Sequence, residues 1–531
     1  IFVVPLCVLV VAIIVIVANL TTGNVRKNIV LIIADDLGWN DISLHGSDQI
    51  LTPNIDMLGY AGVAFGRYYS HCICTPSRSA LLTGKYGYPL TTSEDRGLPV
   101  TEKLLPQYLK DLGYSTHLVG KWHVGSSREK YLPTKRGFDT HYGHRGGFLD
   151  YYEYTKVSGM GLYRNEKADW AAEGYLTDLY NEEAISIIKS HDVSTPLFLM
   201  LAHNAPHGSD EGAILQAPPD VVRAMRHVEL PERRIYAAMV KKLDDSIGDV
   251  VEALMEKDII HNTIILFISD NGAMTTGFRG NYGNNWPLRG LKMSPFEGGV
   301  RVPAVLWSSE VKTSNIFEGY VHVSDWLPTL LKAAGVSPPD NIDGHDMWDD
   351  IKSGNGSKRN EIFEIDDTNG YTSVISGDFK LIIGNVSKTN SNHNGGDYLG
   401  IIGQPHSYTE TIKNSKVYKV FEAIERLVTP EDIGIRTRLR VTCQNQICLF
   451  DIKKDPCELK DLSETYPDIV KKLSDRLETE QLRVIPRVFP IIRDSKSHPE
   501  GLARAGEKKS PETKIVIASR FFFCAEARGN E

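Results

Sequence analysis

The chain has 531 residues, 41% of them hydrophobic and 24% charged, as expected of a folded chain long enough for more than one core. A net charge of −8 argues against extended nucleic-acid binding and leaves room for a local basic pocket that holds an anion. Seven cysteines are too few for a disulfide scaffold.

Residues 1–20, IFVVPLCVLVVAIIVIVANL, form an unbroken apolar run with no polar face. Residues 1–23 read as a signal peptide or a signal anchor, so the rest of the chain enters the secretory pathway, and membrane contact would run only through that anchor. Sequons at Asn19, Asn355 and Asn385 fit this route as N-glycosylation sites. Cys443, Cys448 and Cys457 stand close enough for one bridge, its pairing left open, while Cys72 and Cys524 have no evident partner.

The next run, NIVLIIADDLGW, is β-branched and apolar and stops at Asp35 and Asp36. It reads as a strand buried on both faces of a parallel sheet. The pattern recurs: YSTHLVGKWHVG ends in Lys121 and His123, PLFLMLAHNAPHG in His203 and His207, and NTIILFISDNGA in Asp270 and Asn271. Helical stretches lie between these runs, at 103–112 and at 234–257, the latter with Tyr236, Val240, Leu243, Ile247, Val251 and Leu254 on one face. Strands alternating with helices predict an α/β sheet over residues 27–357, whose carboxyl edge binds ligands. Four strands that end in carboxylate, amide, imidazole or ammonium groups predict one active site there.

A Gly/Asn/Ser-rich linker near residue 358 opens a smaller α+β region, 358–490. Within it TSVISGDFKLIIGN predicts a hairpin around Gly377-Asp378, and ICLFDIKKDPCELKDLSETYPDIVKKLSDRLETEQL a strand, a turn and a closing helix. Residues 389–398 read as a mobile loop, and 491–531 as a disordered polar tail.

Asp35, Asp36, Asp270 and Asn271 offer only oxygen donors, which suit Ca²⁺ or Mg²⁺ better than Zn²⁺. Around them Arg78, Lys121, Lys292, His123 and His207 would bind a tetrahedral oxyanion, sulfate or phosphate. Cys74 sits in HCICTPSRSALLTG, where Pro76 at a first helical position would put it at the N-terminal edge of a helix. A helix dipole favours an anion there, so a thiolate nucleophile is one reading. Against it, thiolates partner hard cations poorly and a secreted free thiol oxidises. The residues alone thus indicate a nucleophile beside an oxyanion site and leave its chemical species open.

CTPSRSALLTG resembles the signature of the sulfatase family, Cys-x-Pro-Ser-Arg followed by Leu-Leu-Thr-Gly. The similarity runs over about residues 27–480, through GKWHVG, FISDNGA, GNNWPLRGLKMSPFEGGVRVP and VHVSDWLPTLLKAAG. NNWPLRG…EGGVR and CLFDIKKDPCELKDLSETYP are most like the branch of arylsulfatase B, the N-acetylgalactosamine-4-sulfatase. This resemblance implies an alkaline-phosphatase-like α/β domain, with a mixed, mainly parallel sheet flanked by helices, plus a smaller C-terminal α+β domain with an antiparallel sheet.

The resemblance also implies that a formylglycine-generating enzyme converts Cys74 to formylglycine. Asp35, Asp36, Asp270 and Asn271 would then hold one Ca²⁺ together with an oxygen of modified Cys74. Arg78 and Lys121 would hold the hydrated aldehyde, His123 would act as base, and Lys121, Lys292 and His207 would bind the sulfate. The implied substrate is an aryl sulfate or sulfated glycan, foremost N-acetylgalactosamine 4-sulfate in glycosaminoglycans, met in the lysosome or after secretion. Two rivals remain. A phosphodiesterase or phosphatase of the same fold would usually carry a Ser or Thr nucleophile and ligands for a second metal. A non-catalytic glycan binder would be expected to lose the Cys or a metal ligand.

Overall fold

The computed structural model describes residues 26–90, 97–156, 159–209, 213–277, 280–311, 315–401, 407–424 and 446–485. Its large sheet is built from β1 (Asn28–Ala34), β2 (Val63–Phe65), β3 (Ser115–Gly120), β4 (Thr140–His144), β5 (Leu162–Arg164), β6 (Lys167–Ala168), β7 (Leu197–Ala202), β8 (Thr263–Ser269), β9 (Ala304–Ser308) and β10 (Asn315–Phe317). The strand order is β10-β2-β9-β8-β1-β7-β3-β4-β5-β6. The five strands from β8 to β4 are mutually parallel. On one side β9 pairs antiparallel with β8, and on the other β5 pairs antiparallel with β4 and β6 with β5. The sheet is therefore mixed and mainly parallel, as expected.

The unbroken apolar sequence of β1 follows from its position: all seven residues are buried, and they alternate between two cores. Val30, Ile32 and Ala34 join one, Ile29, Leu31 and Ile33 the other. On the first face lies the long helix Pro231–Glu256, whose Tyr236, Val240, Leu243, Ile247, Val251 and Leu254 are fully buried, the stripe read from the sequence. On the second face pack α1 (Cys74–Thr83) and α2 (Leu105–Asp111), through Ala80, Leu81, Leu82, Leu105 and Leu109.

The small sheet contains β11 (Glu361–Asp366), β12 (Tyr371–Ser376), β13 (Phe379–Gly384) and β14 (Ile447–Asp451), antiparallel and in chain order. Ser376 pairs with Phe379 across Gly377-Asp378, with Gly377 at φ +58, the left-handed geometry a two-residue hairpin needs. Helix α3 (Pro467–Gln481) covers one face through Leu473 and Leu477. The other face, with Ile362, Ile375, Ile382 and Phe450, packs against Tyr69, Cys72, Phe296 and Val300 of the large region.

Residues 389–398 depart from the expected mobile loop. They form a short helix, Lys388–Asn392, and a 3-10 turn, Gly396–Tyr398. The Asn285 and Leu291 N–H groups donate to the carbonyls of Asn394 and Asn390, and Arg289 donates to that of Ser391. The polar residues that suggested mobility instead supply backbone partners and caps, Ser387 accepting from the Asn390 N–H.

The apolar leader, Asn19, Cys443, Cys524 and the tail lie outside the described residues. Cys448 is disulfide-bonded. Asn355 and Asn385 are exposed. No helix among the described residues is long and apolar enough to cross a membrane.

Leu243→Ala empties a fully buried site between helix and sheet. It is expected to cost about 2–5 kcal/mol in denaturant unfolding. A loss under about 0.5 kcal/mol would mean that this interface is not packed as described.

Candidate active site

Strand register assembles the site. Ala34 pairs with Ser269, Ile33 with Ala202, and Ala202 with Gly120. The residues that follow, Asp35-Asp36, Asp270-Asn271, His203 to His207 and Lys121 to His123, therefore emerge at one rim of the sheet, where open α/β sheets bind ligands. Gly120 makes the close approach possible. It has φ +104, and a Cβ there would overlap the Ala202 carbonyl oxygen, which accepts from the Lys121 N–H at 2.8 Å.

Cys74 enters from the second face. Helix α1 begins at Cys74 itself, after an extended Ile73, so Pro76 is its third residue rather than its first. Cys74 Sγ lies 3.6 Å from Asp35 Oδ1, 3.9 Å from Asp36 Oδ1 and 3.2 Å from Lys292 Nζ. Three ion pairs surround it. Lys121 donates to Asp35 at 2.7 Å, Lys292 to both oxygens of Asp36 at 2.6 and 2.8 Å, and Arg78 to Asp270 Oδ2 at 2.8 and 3.0 Å. Arg78 also donates to the Lys121 carbonyl at 3.2 Å. Asn271 donates to Asp36 Oδ1 at 2.6 Å, and its own Oδ1 is buried without a hydrogen-bond partner.

The thiol is not a thiolate here. Burial pushes Cys74 up to about 12, with Lys121 and Lys292 pulling the other way and Asp270 and Asp35 adding to the rise. The paired carboxylates diverge. Burial, with the Asp270 and Asp36 charges, lifts Asp35 to about 7 against Lys121 and Arg78. Asp36 falls below the usual carboxylate range, because Lys292 and His207 outweigh its burial. Lys292 is held well above its ordinary value: burial opposes the charge, but Asp36 and the other acids win.

The two histidines of the β7 end face different ways. His203 turns to Ser246 on the long helix, 3.1 Å away, and belongs to the packing. His207 faces the cluster, with Nε2 3.6 Å from Asp36 Oδ2. Its Nδ1 donates to the Gly208 carbonyl at 2.6 Å, so the Nε2 lone pair points to the site. Burial holds it neutral, down at about 3. His123 Nε2 is 3.2 Å from Thr75 Oγ1, one residue beyond Cys74. Donor atoms of Asp35, Asp36, Cys74 and His207 all lie within 4.8 Å of one another, a group that could hold a metal ion. His207, read as a sulfate ligand, thus shares that cluster, whereas one oxygen of Asp270 is turned to Arg78 and the other accepts from the Asp36 N–H.

Sequence reasoning missed several supports. Asn281 donates to the Asp36 carbonyl at 3.1 Å, Ser269 Oγ accepts from the Leu37 N–H, and Phe148 stacks on His207 at 5.9 Å. Only Ser269 and Thr75, flanking motif residues, carried a usable sequence signal. Aromatic residues of the 144–166 segment are mostly core: Tyr151, Tyr154 and Tyr163 are buried. Tyr151 donates to the carbonyls of Asn204 and His207.

The family model described as Sulfatase matches residues 27–336. Arylsulfatase J of Mus musculus is 35% identical over 503 residues, covering 90% of this chain and 79% of its own length. N-acetylgalactosamine-6-sulfatase of Homo sapiens is 32% identical over 360 residues, covering 62% and 66% respectively. The crystal structure of Ps i-CgsB is similar with TM-score 0.70 and 27% identity, covering 87% of this chain and 94% of that one. The family model over residues 27–336 and these relatives, on a fold that buries a cysteine among cations and acids, place the chain in the sulfatase family, as an enzyme that hydrolyses sulfate esters.

Proposed function

We propose that this sulfatase works through a formylglycine made from Cys74 and one bound Ca²⁺, and that it removes sulfate from N-acetylgalactosamine units of glycosaminoglycans. The observation that carries the reading is the Cys74 environment. A thiol pushed up to about 12 is a poor nucleophile at neutral pH, yet it stands where Lys292, Lys121, Asp35 and Asp36 converge. The relative named N-acetylgalactosamine-6-sulfatase and the neighbour solved with k-i-k-neocarrahexaose support a sulfated glycan as substrate. Conversion by a formylglycine-generating enzyme fits passage through the secretory pathway, to the lysosome or outside the cell.

The donor set fits a hard divalent cation. Asp35, Asp36, Asp270 and Asn271 offer oxygens alone, and the Asn271 Oδ1 is buried and unpartnered. Charge agrees: three carboxylates balance Arg78, Lys121 and Lys292, so a divalent ion would leave the site positive, as an anionic ester requires. When present, Ca²⁺ would polarise sulfate oxygens and the hydrated aldehyde would supply the attacking hydroxyl.

The other steps belong to side chains. Lys292 and Lys121 hold sulfate oxygens, and Arg78 fixes Asp270 and the Lys121 backbone. Once one hydroxyl of residue 74 has displaced the alcohol from sulfur, His123 takes the proton of the second hydroxyl. The bond from residue 74 to the sulfate oxygen then breaks, sulfate leaves and the aldehyde is restored. His207, neutral in the free site with its Nε2 facing the cluster and its ring held by Phe148, relays to the leaving oxygen the proton that the attacking hydroxyl gives up.

After secretory expression, the peptide spanning residues 72–85 should show the mass of the aldehyde at position 74, with oxygen in place of sulfur and two hydrogens fewer than the alcohol. Cys74→Ala should lose aryl sulfate turnover while unfolding at the wild-type temperature. An unmodified cysteine in an active enzyme would refute the nucleophile assignment.

In unconverted protein the raised pKa keeps the thiol protonated up to about pH 12. Alkylation by iodoacetamide at pH 7 should therefore be far slower than for a free cysteine, and should rise only toward strongly alkaline pH. Rapid labelling at neutral pH would show a thiolate instead.

Chelation with EGTA should abolish turnover and Ca²⁺ should restore it. Full activity after exhaustive chelation, with no metal found by elemental analysis, would remove the metal from the reading.

A further inference from the structure

Glu364 lies on β11, in the C-terminal sheet, yet its carboxylate reaches the chain just ahead of the nucleophile helix. Oε2 accepts from His71 Nδ1 at 2.6 Å. Oε1 accepts from the Cys72 thiol at 3.2 Å and from the Cys72 N–H at 3.5 Å. The Tyr371 hydroxyl, on the neighbouring strand, meets the same sulfur at 2.9 Å. His71, Cys72 and Tyr371 are each 1% exposed and Glu364 is 6% exposed, so water does not compete for these contacts.

The histidine is determined at every polar point. The Gly87 N–H donates to His71 Nε2 at 3.0 Å, which leaves the ring proton on Nδ1, directed at Glu364. The His71 carbonyl accepts from Ser77 Oγ at 3.1 Å, within helix α1 itself. The Cys72 carbonyl in turn accepts from the Met293 N–H at 2.9 Å. Met293 follows Lys292, whose ammonium meets Cys74 Sγ, and it sits at φ +67, a left-handed conformation that its surroundings must hold in place. One carboxylate thus braces both the start of the nucleophile helix and the segment that delivers Lys292.

We propose that Glu364 is a positioning residue for the nucleophile, acting through His71 and Cys72, and that the C-terminal sheet is in this way part of the catalytic apparatus. The inference rests on the reading that residue 74 is the nucleophile. In-line attack tolerates little displacement, and a misplacement near 1 Å costs about 100-fold in rate. A contact that only joins two sheets would lower stability and leave the rate of each folded molecule unchanged.

The test compares wild type, Glu364→Ala and Glu364→Gln as full-length secreted proteins, on 4-nitrophenyl sulfate. Turnover is expressed per molecule converted at position 74, counted by peptide mass. E364A should lose about 10- to 100-fold in kcat with KM within about twofold. E364Q, which keeps an acceptor for His71, should stay within about threefold of wild type. Equal kcat per converted molecule in E364A and wild type overturns the proposal, as does an equal loss in E364A and E364Q. A converted wild type that turns over no sulfate ester overturns the nucleophile reading instead. If E364A does not fold, Tyr371→Phe and E364Q are measured in the same way. Y371F removes the hydroxyl from the Cys72 sulfur and should lower kcat at constant KM, and an unchanged kcat in both variants overturns the proposal.

Discussion

Charge compensation in a dry volume is the constraint on which this structure depends. Asp35, Asp36 and Asp270 are at most 2% exposed, and no carboxylate is taken that far from water without a partner. Lys121, Lys292 and Arg78 supply one cation each at hydrogen-bonding distance. Breaking a buried pair by removing one member costs about 3–5 kcal/mol, because the survivor is left uncompensated. The pairs therefore couple stability to chemistry, since the groups that would bind an anion are those that allow the acids to be buried. The two acids diverge by which influence wins: burial outweighs the cations at Asp35, which rises to about 7, whereas Lys292 and His207 outweigh burial at Asp36, which falls.

Compensation works only if the groups arrive together, and that is the task of the parallel strands. Residues far apart in sequence become neighbours because Ala34 with Ser269, and Ile33 with Ala202 and Gly120, form two adjacent register lines at the rim. A slip of one residue would turn each strand's side chains to the opposite core. Core packing on both faces thus protects the site without touching it. The loops beyond the rim are fixed by buried polar ties: Asp41 accepts from Arg233, from Tyr236 and from the Asn284 N–H, and Asn281 holds the Asp36 carbonyl.

What could be read from the sequence follows from this arrangement. Strand ends were visible because an apolar run that stops at Asp-Asp or Asp-Asn leaves a local signal, and the hairpin at Gly377-Asp378 was visible for the same reason. Long-range support left none. Nothing near Glu364 announces that it will meet His71, nor near Phe148 that it will stack on His207. The left-handed conformations of Asp36, His123 and Met293 are equally silent, since none is a glycine. The Asn/Gly/His stretch at 389–398 misled because polar composition is shared by solvated loops and by segments whose amides bond other backbone. Here the Asn285 and Leu291 N–H groups consume it.

The same physics bears on why a sulfatase site would begin from a cysteine that is then replaced. A thiolate at position 74 would sit 3.6 Å from Asp35 and 3.9 Å from Asp36, adding a negative charge to a volume that already holds three acids. Burial and those acids push the thiol up, so little of it would be ionised at neutral pH. A neutral hydroxyl carried on the same carbon escapes that penalty. It asks for a nearby base only at the moment of reaction, and it offers an oxygen where a hard cation would favour one over sulfur. In that reading Lys292 and Lys121 serve a neutral nucleophile and an incoming anion at once, a combination an ionised thiol between two aspartates would forbid.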